Sequence, residues 1–271
     1  MPFHDDLALD EHLDDLDPLR HLMQQPDSDE SDLDLDLKLA LLPQQPRSIY
    51  DETLHLSFIS NPDPITISLA VDAAPGCGGI AWPAGEVLAS FLAKQGAAYV
   101  RGRTILELGS GTGLVGLVAA KLGGTTVCIT DQAMLLDIMR RNVRANALQD
   151  SVRVAELNWG TPLPQDISPP DLILAADCVY YEPAFPLLVQ TLADLVDLQA
   201  QRGKDTDTEV LFCYKKRRKA DKRFFALLKK GFSWTEVMDD PDREVYTRDA
   251  ISLLRLFRRK DHKEEARRRI A

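Results

Sequence analysis

Hydrophobic and polar positions follow two different periods in the part of the chain after residue 47. Over residues 65–71, apolar residues alternate with small or polar ones, which predicts a half-buried strand. A glycine turn at 76–79 follows. Apolar residues then recur on one face of residues 82–94, which predicts a helix that starts after Pro83.

From residue 104 onward, short apolar runs alternate with segments of helical length. The runs predicted as strands are 104–108, 125–130, 152–157, 172–176, 210–214, 234–238 and 251–257. The segments predicted as helices are 113–122, 133–147, 184–198 and 220–230. Such alternation indicates parallel βαβ units with helices on both faces of a sheet. We therefore predict an α/β fold with a doubly wound, seven-stranded, Rossmann-like sheet in one domain over residues 47–260.

The acidic charge of the chain is concentrated in its N-terminal segment. The 271 residues carry a formal net charge of -10, but residues 1–46 hold 13 of the 42 acidic side chains and only two of the 32 basic ones. This segment repeats Asp-Leu patterns and ends in a Pro/Gln stretch, a composition that predicts disorder. Residues 261–271 are predicted to form a basic tail.

Membrane and metal-binding classes are disfavoured. No apolar run reaches the roughly 18 residues of a membrane-spanning helix, and the first residues are acidic where a signal peptide is basic. We predict a soluble, cytoplasmic monomer. The cysteines are 35 or more residues apart and form no CxxC pair, so we predict buried reduced thiols and no metal site; they are Cys77, Cys128, Cys178 and Cys213.

A glycine-rich turn joins the strand at 104–108 to the next helix, and two cofactors are compatible with it. Ligands of doubly wound sheets bind beyond the carboxyl ends of the strands, where glycine permits close approach to the backbone. Residues 111–116 satisfy G-x-G-x-x-G, and Asp131 follows at the distance expected for the ribose-binding acid of a nicotinamide oxidoreductase. Alternatively, Glu107 before the turn resembles the arrangement in S-adenosylmethionine-dependent methyltransferases of the seven-strand class.

Residues after neighbouring strands favour the methyl donor. It has no pyrophosphate to place on a helix N-terminus, and its sulfonium and adenosine call for acids and aromatic surfaces. Asp131 follows the second strand and is suited to accept both ribose hydroxyls, while Trp159 follows the third and is suited to border adenine. Trp82 lies on the approach to the first helix. A Tyr-x-x-x-Lys pair for hydride transfer is not evident.

The most specific motif is Asp-x-x-Tyr, formed by Asp177 and Tyr180 after the fourth strand. It resembles the signature of the family-16 protein-lysine methyltransferases, as do Trp82 and residues 107–116, and the resemblance extends over residues 50–258. It implies a class I methyltransferase sheet with an N-terminal β extension and a C-terminal antiparallel strand pair. Residues 214–221 are most similar to the fungal elongation factor methyltransferase 6 group, which implies translation elongation factor 1-alpha as the substrate.

The resemblance also implies roles for individual residues. Those expected to contact S-adenosyl-L-methionine are Trp82, Gly109, Ser110, Gly111, Asp131, Trp159 and Ala176, with Glu107 supporting the loop. One departure from the family is Asn158, where many relatives have Asp; an amide can still hydrogen-bond the adenine edge but cannot contribute charge. Asp177 and Tyr180 are expected to face the target lysine.

Methyl transfer requires a neutral amine, held in line behind the methyl group. A free lysine, with a pKa of about 10.4, is neutral only about once in 2,500 molecules at pH 7. Asp177 is suited to align the amine or accept its proton, and Tyr180 to present a hydroxyl and a π face. The alternative for Asp177 is a cap on the following helix.

Two broader questions stay open at this stage. The basic run at 215–230 suggests electrostatic steering of a protein partner. A nucleic-acid substrate is disfavoured, because the chain lacks the Asn-Pro-Pro-aromatic tetrapeptide used on flipped bases. The remaining alternative to both enzyme classes is a non-catalytic binding module that retains the fold.

Overall fold

The computed structural model describes residues 53–72, 77–201, 207–217 and 221–259. Strands β1 (Thr53–Phe58) and β2 (Ile65–Ala70) form an antiparallel hairpin. The other strands of the described chain are β3 (Thr104–Leu108), β4 (Thr126–Asp131), β5 (Val152–Glu156), β6 (Leu172–Ala176), β7 (Glu209–Lys215), β8 (Phe232–Glu236) and β9 (Ile251–Arg258). They form one seven-stranded sheet in the order β5-β4-β3-β6-β7-β9-β8. The segments predicted as tails, 1–46 and 261–271, lie outside the described residues.

The position of β9 separates this sheet from the dinucleotide-binding fold. Strands β3 to β7 pair in parallel, whereas β9 lies between β7 and β8 and is antiparallel to both. The dinucleotide fold has the strand order 3-2-1-4-5-6 without such an insertion. The predicted seven-stranded α/β sheet, with its N-terminal β extension and C-terminal antiparallel strands, is confirmed.

Helices cover both faces of the sheet. They are α1 (Pro83–Gln95), α2 (Ala97–Val100), α3 (Leu114–Lys121), α4 (Leu136–Ala145), α5 (Phe185–Gln201), α6 (Asp221–Leu228) and α7 (Arg243–Arg248). The hairpin, α1, α3 and α4 contribute to one hydrophobic cluster, and α5 and α6 to the other. Side chains alternate between these clusters along β3, with Ile105 in the first and Leu106 and Leu108 in the second.

Each predicted helix and strand has a counterpart whose ends agree within three residues. The segment predicted as a helix over 133–147 begins as a single 3-10 turn, Ala133–Leu135, before α4. Three short elements were not predicted: β1, α2 and α7. Alternation of Leu54, Leu56 and Phe58 with polar residues is the signal in the sequence that indicates β1.

Two asparagines of α4 join the hairpin to the rest of the domain. Asn142 accepts a hydrogen bond from the Ala70 N–H (2.6 Å) and donates to the carbonyls of Ala70 (3.1 Å) and Thr112 (2.9 Å). Asn146 makes the same pair of bonds with the backbone of Ser68. These amides satisfy the free edge of β2 as a neighbouring strand would, and through Thr112 they connect the hairpin to the glycine turn.

Candidate active site

A cleft of about 250 Å³ opens at the carboxyl ends of β3, β4 and β6. Its volume is near the lower end of the range for small-molecule sites, roughly 300–1,000 Å³. All ten residues predicted for the site line this one cleft: Trp82, Glu107, Gly109, Ser110, Gly111, Asp131, Trp159, Ala176, Asp177 and Tyr180. The topology thus brings together residues that are far apart in the sequence.

The glycine turn is held to the end of β4 by a small hydrogen-bond network. The Ser110 N–H donates to the Thr130 carbonyl, and the Thr130 N–H donates to the Ser110 hydroxyl, both at 2.9 Å. Both hydroxyls donate to the carbonyl of Glu107, at 3.1 Å from Ser110 and 2.7 Å from Thr130. Because these groups are buried and mutually satisfied, the backbone of the turn is fixed.

Close packing explains the glycines at 109 and 111. Gly111 has φ +55°, and a Cβ there would lie 2.5 Å from the backbone oxygen of Gly78. Gly109 has φ +65°, and a Cβ there would lie 2.9 Å from the Trp159 ring. A side chain at either position would therefore meet both an unfavourable backbone conformation and a neighbouring group.

The side chain of Glu107, on β3, hydrogen-bonds to the N-terminus of α3. The residue before this helix, Gly113, has no side chain to cap it, and the Glu107 Oε2 accepts the Gly116 N–H at 2.9 Å. Glu107 is almost completely buried, and this burial raises its pKa to about 8. The first helical amides, which hold the pyrophosphate in a dinucleotide enzyme, thus already have an acceptor within the protein.

Asp131 connects the end of β4 to the glycine turn. Its Oδ2 accepts the Gly111 N–H and its Oδ1 accepts the Gln132 N–H, each at 2.7 Å. Each carboxylate oxygen has two lone pairs, so acceptor sites toward the cleft are retained. Burial raises the pKa of Asp131, and the two backbone donors oppose this shift.

The two tryptophans line different parts of the cleft. Trp159 packs against Gly109, and Trp82 caps α1 through its carbonyl, which accepts the N–H groups of Gly85 (2.9 Å) and Glu86 (3.1 Å). Asn158, next to Trp159, is not among the residues that line the cleft, and its side-chain amide donates to Glu156 at 2.7 Å.

Asp177 lies at the end of β6 in a buried ion pair. Its carboxylate oxygens accept hydrogen bonds from the two terminal nitrogens of Arg217, at 2.8 and 2.6 Å. The Oδ1 atom also accepts a hydrogen bond from the Lys215 N–H at 3.2 Å. The 3-10 turn that follows, Glu182–Ala184, has no side-chain cap. The alternative role of Asp177 as a helix cap is therefore not observed.

Cys178 and Arg217 are among the further residues of the cleft wall that sequence patterns did not single out as site residues. Cys178 is buried, donates to the Leu108 carbonyl at 3.4 Å, and has a pKa raised well above its usual value by burial. Arg217 lies within a run of five basic residues, and nothing in that run distinguishes it from its neighbours. Only the return of β7 beside β6 identifies it as part of the cleft.

Among the described residues, no group of His, Cys, Asp and Glu side chains could hold a metal ion. Cys128, Cys178 and Cys213 are free thiols, the last two buried, as predicted; the side chain of Cys77 lies outside the described part. Within that part, none of the helices is long and apolar enough to cross a membrane.

Comparison with known proteins agrees with this geometry. The profile of a family described as lysine methyltransferase matches residues 61–231. The chain is 39% identical over 208 residues to the protein-lysine N-methyltransferase EFM6 of Saccharomyces cerevisiae, covering 68% of this chain and 82% of that protein. It is 40% identical over 182 residues to the protein N-lysine methyltransferase METTL21A of Danio rerio, covering 65% of this chain and 78% of that protein.

A shorter match is 43% identical over 117 residues to the EEF1A lysine methyltransferase 3 of Mus musculus, covering 42% of this chain and 49% of that protein. The family match confirms the predicted enzyme class, its protein-lysine substrate and its methyl donor, S-adenosylmethionine. The nicotinamide and non-catalytic alternatives are not supported. The chain belongs to the lysine methyltransferase family.

Proposed function

We propose that this member of the family methylates a lysine of translation elongation factor 1-alpha. Two observations support this substrate. Residues 214–221 resemble the fungal elongation factor methyltransferase 6 group. A relative from mouse bears the name EEF1A lysine methyltransferase 3. The proposal includes a monomeric, cytoplasmic enzyme with no nucleic-acid substrate.

The side chains of the cleft are chemically suited to the methyl donor. The single observation that carries this assignment is the carboxyl group of Glu107 on the first amides of α3, because it leaves no helix N-terminus for a pyrophosphate. When bound, S-adenosylmethionine supplies a methyl group on a sulfonium cation. A cation is compatible with the acids Glu107 and Asp131 in the wall.

The residues proposed to hold the donor divide by part of the cleft. Gly109, Ser110 and Gly111 present the fixed backbone of the turn, and Asp131 accepts ribose hydroxyls. Aromatic and small side chains border the remainder, namely Trp82, Trp159 and Ala176. Glu107 supports the turn from below by capping α3. Asp177 and Tyr180 form the end of the cleft proposed to receive the lysine.

The proposed domain boundaries follow the composition of the chain. We propose that residues 47–260 form the methyltransferase domain, with an acidic tail at 1–46 and a basic tail at 261–271. Limited proteolysis followed by mass spectrometry is expected to leave a stable fragment near 47–260. A stable fragment that retains residues 1–46 would contradict these boundaries.

Isothermal titration and methyl transfer test the function in two steps. Titration with S-adenosylmethionine is expected to show micromolar binding, and titration with the two nicotinamide dinucleotides is expected to show none. Radiolabelled methyl groups should then appear on unmethylated recombinant elongation factor 1-alpha, at one lysine identified by mass spectrometry. Donor binding with labelling of a different protein in a lysate would reject only the substrate, whereas dinucleotide binding alone would reject the cofactor as well.

A further inference from the structure

Arg217 is held in one place by its backbone as well as by its side chain. Its N–H donates to the buried carboxylate of Asp221 at 3.0 Å, and the preceding Lys216 N–H donates to the Ala250 carbonyl at 2.8 Å. The segment after β7 therefore has fixed partners on α6 and at the start of β9. The guanidinium is directed into the cleft, where it lies 5.9 Å from the ring centre of Trp82.

The pair between Arg217 and Asp177 uses both oxygens of the carboxylate. The guanidinium donates two parallel hydrogen bonds, and the Lys215 N–H adds a third. A lysine ammonium is a single point charge and cannot reproduce this planar, bidentate geometry. An incoming lysine is therefore a poor replacement for Arg217 as the partner of Asp177.

The backbone of Asp177 is also unusual. Its φ is +57°, in the left-handed region that residues other than glycine adopt uncommonly. The Asp177 N–H donates to the Cys213 carbonyl at 2.8 Å, which helps to maintain this conformation. Strain of this kind at the wall of a cleft indicates that the position of the side chain matters for function.

The two charged groups differ in their access to the cleft. The Arg217 side chain is 9% exposed and that of Asp177 only 3%. The carboxylate, whose two oxygens both pair with the guanidinium, is therefore the less accessible of the two charges to an incoming amine. Three donors already occupy the Asp177 carboxylate, and protonation would remove the charge that holds Arg217 in this nearly buried pair.

We propose that Arg217, held in place by Asp177, is the group that keeps the target lysine amine neutral in the cleft. This inference rests on the proposed lysine methylation. A guanidinium stays charged at all relevant pH values, and a nearby like charge disfavours the protonated form of an amine. The ammonium of the lysine releases one proton to solvent water, and its nitrogen keeps the electron pair. Asp177 is then a positioning residue that acts through Arg217.

Other titratable groups lie in or beside the cleft and also influence the pKa of a bound amine. Glu107 and Asp131 are acids on β3 and β4, at the cofactor end, and the thiols of Cys178 and Cys213 are kept neutral by burial. The remaining charged or titratable groups near the pair are Tyr180, Tyr214, Lys215 and Asp221. All of them are unchanged in the variants below.

The test is the pH dependence of methyl transfer to elongation factor 1-alpha under single-turnover conditions. For Arg217→Met we expect the apparent pKa of the rate to rise by about one unit or more, so that the rate falls roughly tenfold at pH 7 and recovers near pH 10. Arg217→Lys retains the charge and should keep the wild-type pKa with a lower plateau. Asp177→Asn removes the counter-charge and keeps the guanidinium, so its apparent pKa should not rise above that of wild type.

Matched measurements separate this role from a structural one. Arg223→Met removes an arginine that pairs with Glu182 outside the cleft wall, and its profile should not change. Melting temperature and donor affinity are measured for every variant. If Arg217→Met does not fold, Arg217→Lys and Asp177→Asn still decide. Loss of methylation at every pH in Asp177→Asn, with wild-type melting temperature and donor affinity, would identify Asp177 as the proton acceptor and overturn the inference.

A second readout does not depend on the protein substrate. Butylamine labelled with ¹³C is titrated by NMR with the wild-type enzyme and S-adenosylhomocysteine. We expect an amine pKa at least one unit below its value in water, and no such lowering with Arg217→Met. An unaltered pKa with wild type would overturn the inference. A lowered pKa without methylation of elongation factor 1-alpha would reject the substrate alone.

Discussion

The two ends of the cleft are built in different ways. At the cofactor end, the glycine turn is fixed by groups that lie within residues 107–131, and most of the bonds involve the backbone. At the lysine end, Asp177 and Tyr180 come from one part of the chain and Arg217 from another. There the main contact is an ion pair between side chains 40 residues apart in the sequence.

This difference shows how one fold can keep a constant site for the cofactor beside a site for the substrate that varies. The backbone of the glycine turn bonds to a few side chains close to it in sequence, so its shape does not depend on the more distant residues of the cleft. A bidentate ion pair depends on two particular side chains, and replacing either one leaves the other buried without a partner. Substitutions at the two ends should therefore have different effects. Donor binding is lost at the cofactor end, whereas loss of the Arg217 charge at the lysine end raises the apparent pKa of methyl transfer.

The largest loss of donor affinity is expected from Gly111→Ala. The new Cβ would meet the Gly78 oxygen at 2.5 Å in a residue with φ +55°, and neither backbone can yield easily. We expect donor affinity to fall at least about 100-fold by isothermal titration. Gly123→Ala is the matched control, because its φ is +98° and nothing lies within 4 Å of the added Cβ. Equal loss in both variants would mean that backbone strain alone is responsible.

A smaller loss of donor affinity is expected from Asp131→Ala. It removes the acceptor of the Gly111 and Gln132 N–H groups together with the proposed ribose contact. We expect donor affinity to fall roughly 10- to 100-fold, with little change in the pH profile of the residual methyl transfer. Asp137→Ala, on the exposed face of α4, should bind the donor like wild type. Wild-type affinity of Asp131→Ala would exclude this residue from the site.

The smallest effect is expected from Glu107→Gln and appears as a change with pH. Burial raises the pKa of Glu107 from 4.5 to about 8, so the folded protein holds a proton that the unfolded chain releases. The contribution of Glu107 to stability is therefore fully present below about pH 4.5 and is lost as the pH rises through about 8. The melting temperature of wild type relative to Glu107→Gln should decline across this window.

Donor binding gives the complementary test of Glu107. A bound sulfonium favours the ionised carboxylate, so binding near pH 7 should release a proton from wild type and less from Glu107→Gln. Titrations in two buffers with different ionisation enthalpies measure this difference. Asp131, whose pKa burial also raises, is present in both proteins and provides the common background. Identical proton release would show that Glu107 does not titrate on binding.

Much of the fold and of the cofactor end follows from local patterns in the sequence. Alternation of short apolar runs and amphipathic segments predicted the strands and helices that the structure contains, because burial on one or both faces imposes a period on the chain. The glycine turn, Glu107 and Asp131 were predictable for a related reason. Their roles depend on a turn and a strand end close to each other in sequence.

Other features depended on the tertiary structure. The bonds of Asn142 and Asn146 to β2 join segments more than 70 residues apart, and no local pattern marks them. Nor does any pattern separate Arg217 from the bases beside it. The Asp-x-x-Tyr motif pointed to Asp177, but not to its pairing. That pairing was decided by the sheet, because β6 and β7 lie side by side and end together, so that Asp177 and Arg217 meet in a buried place where neither charge is stable alone.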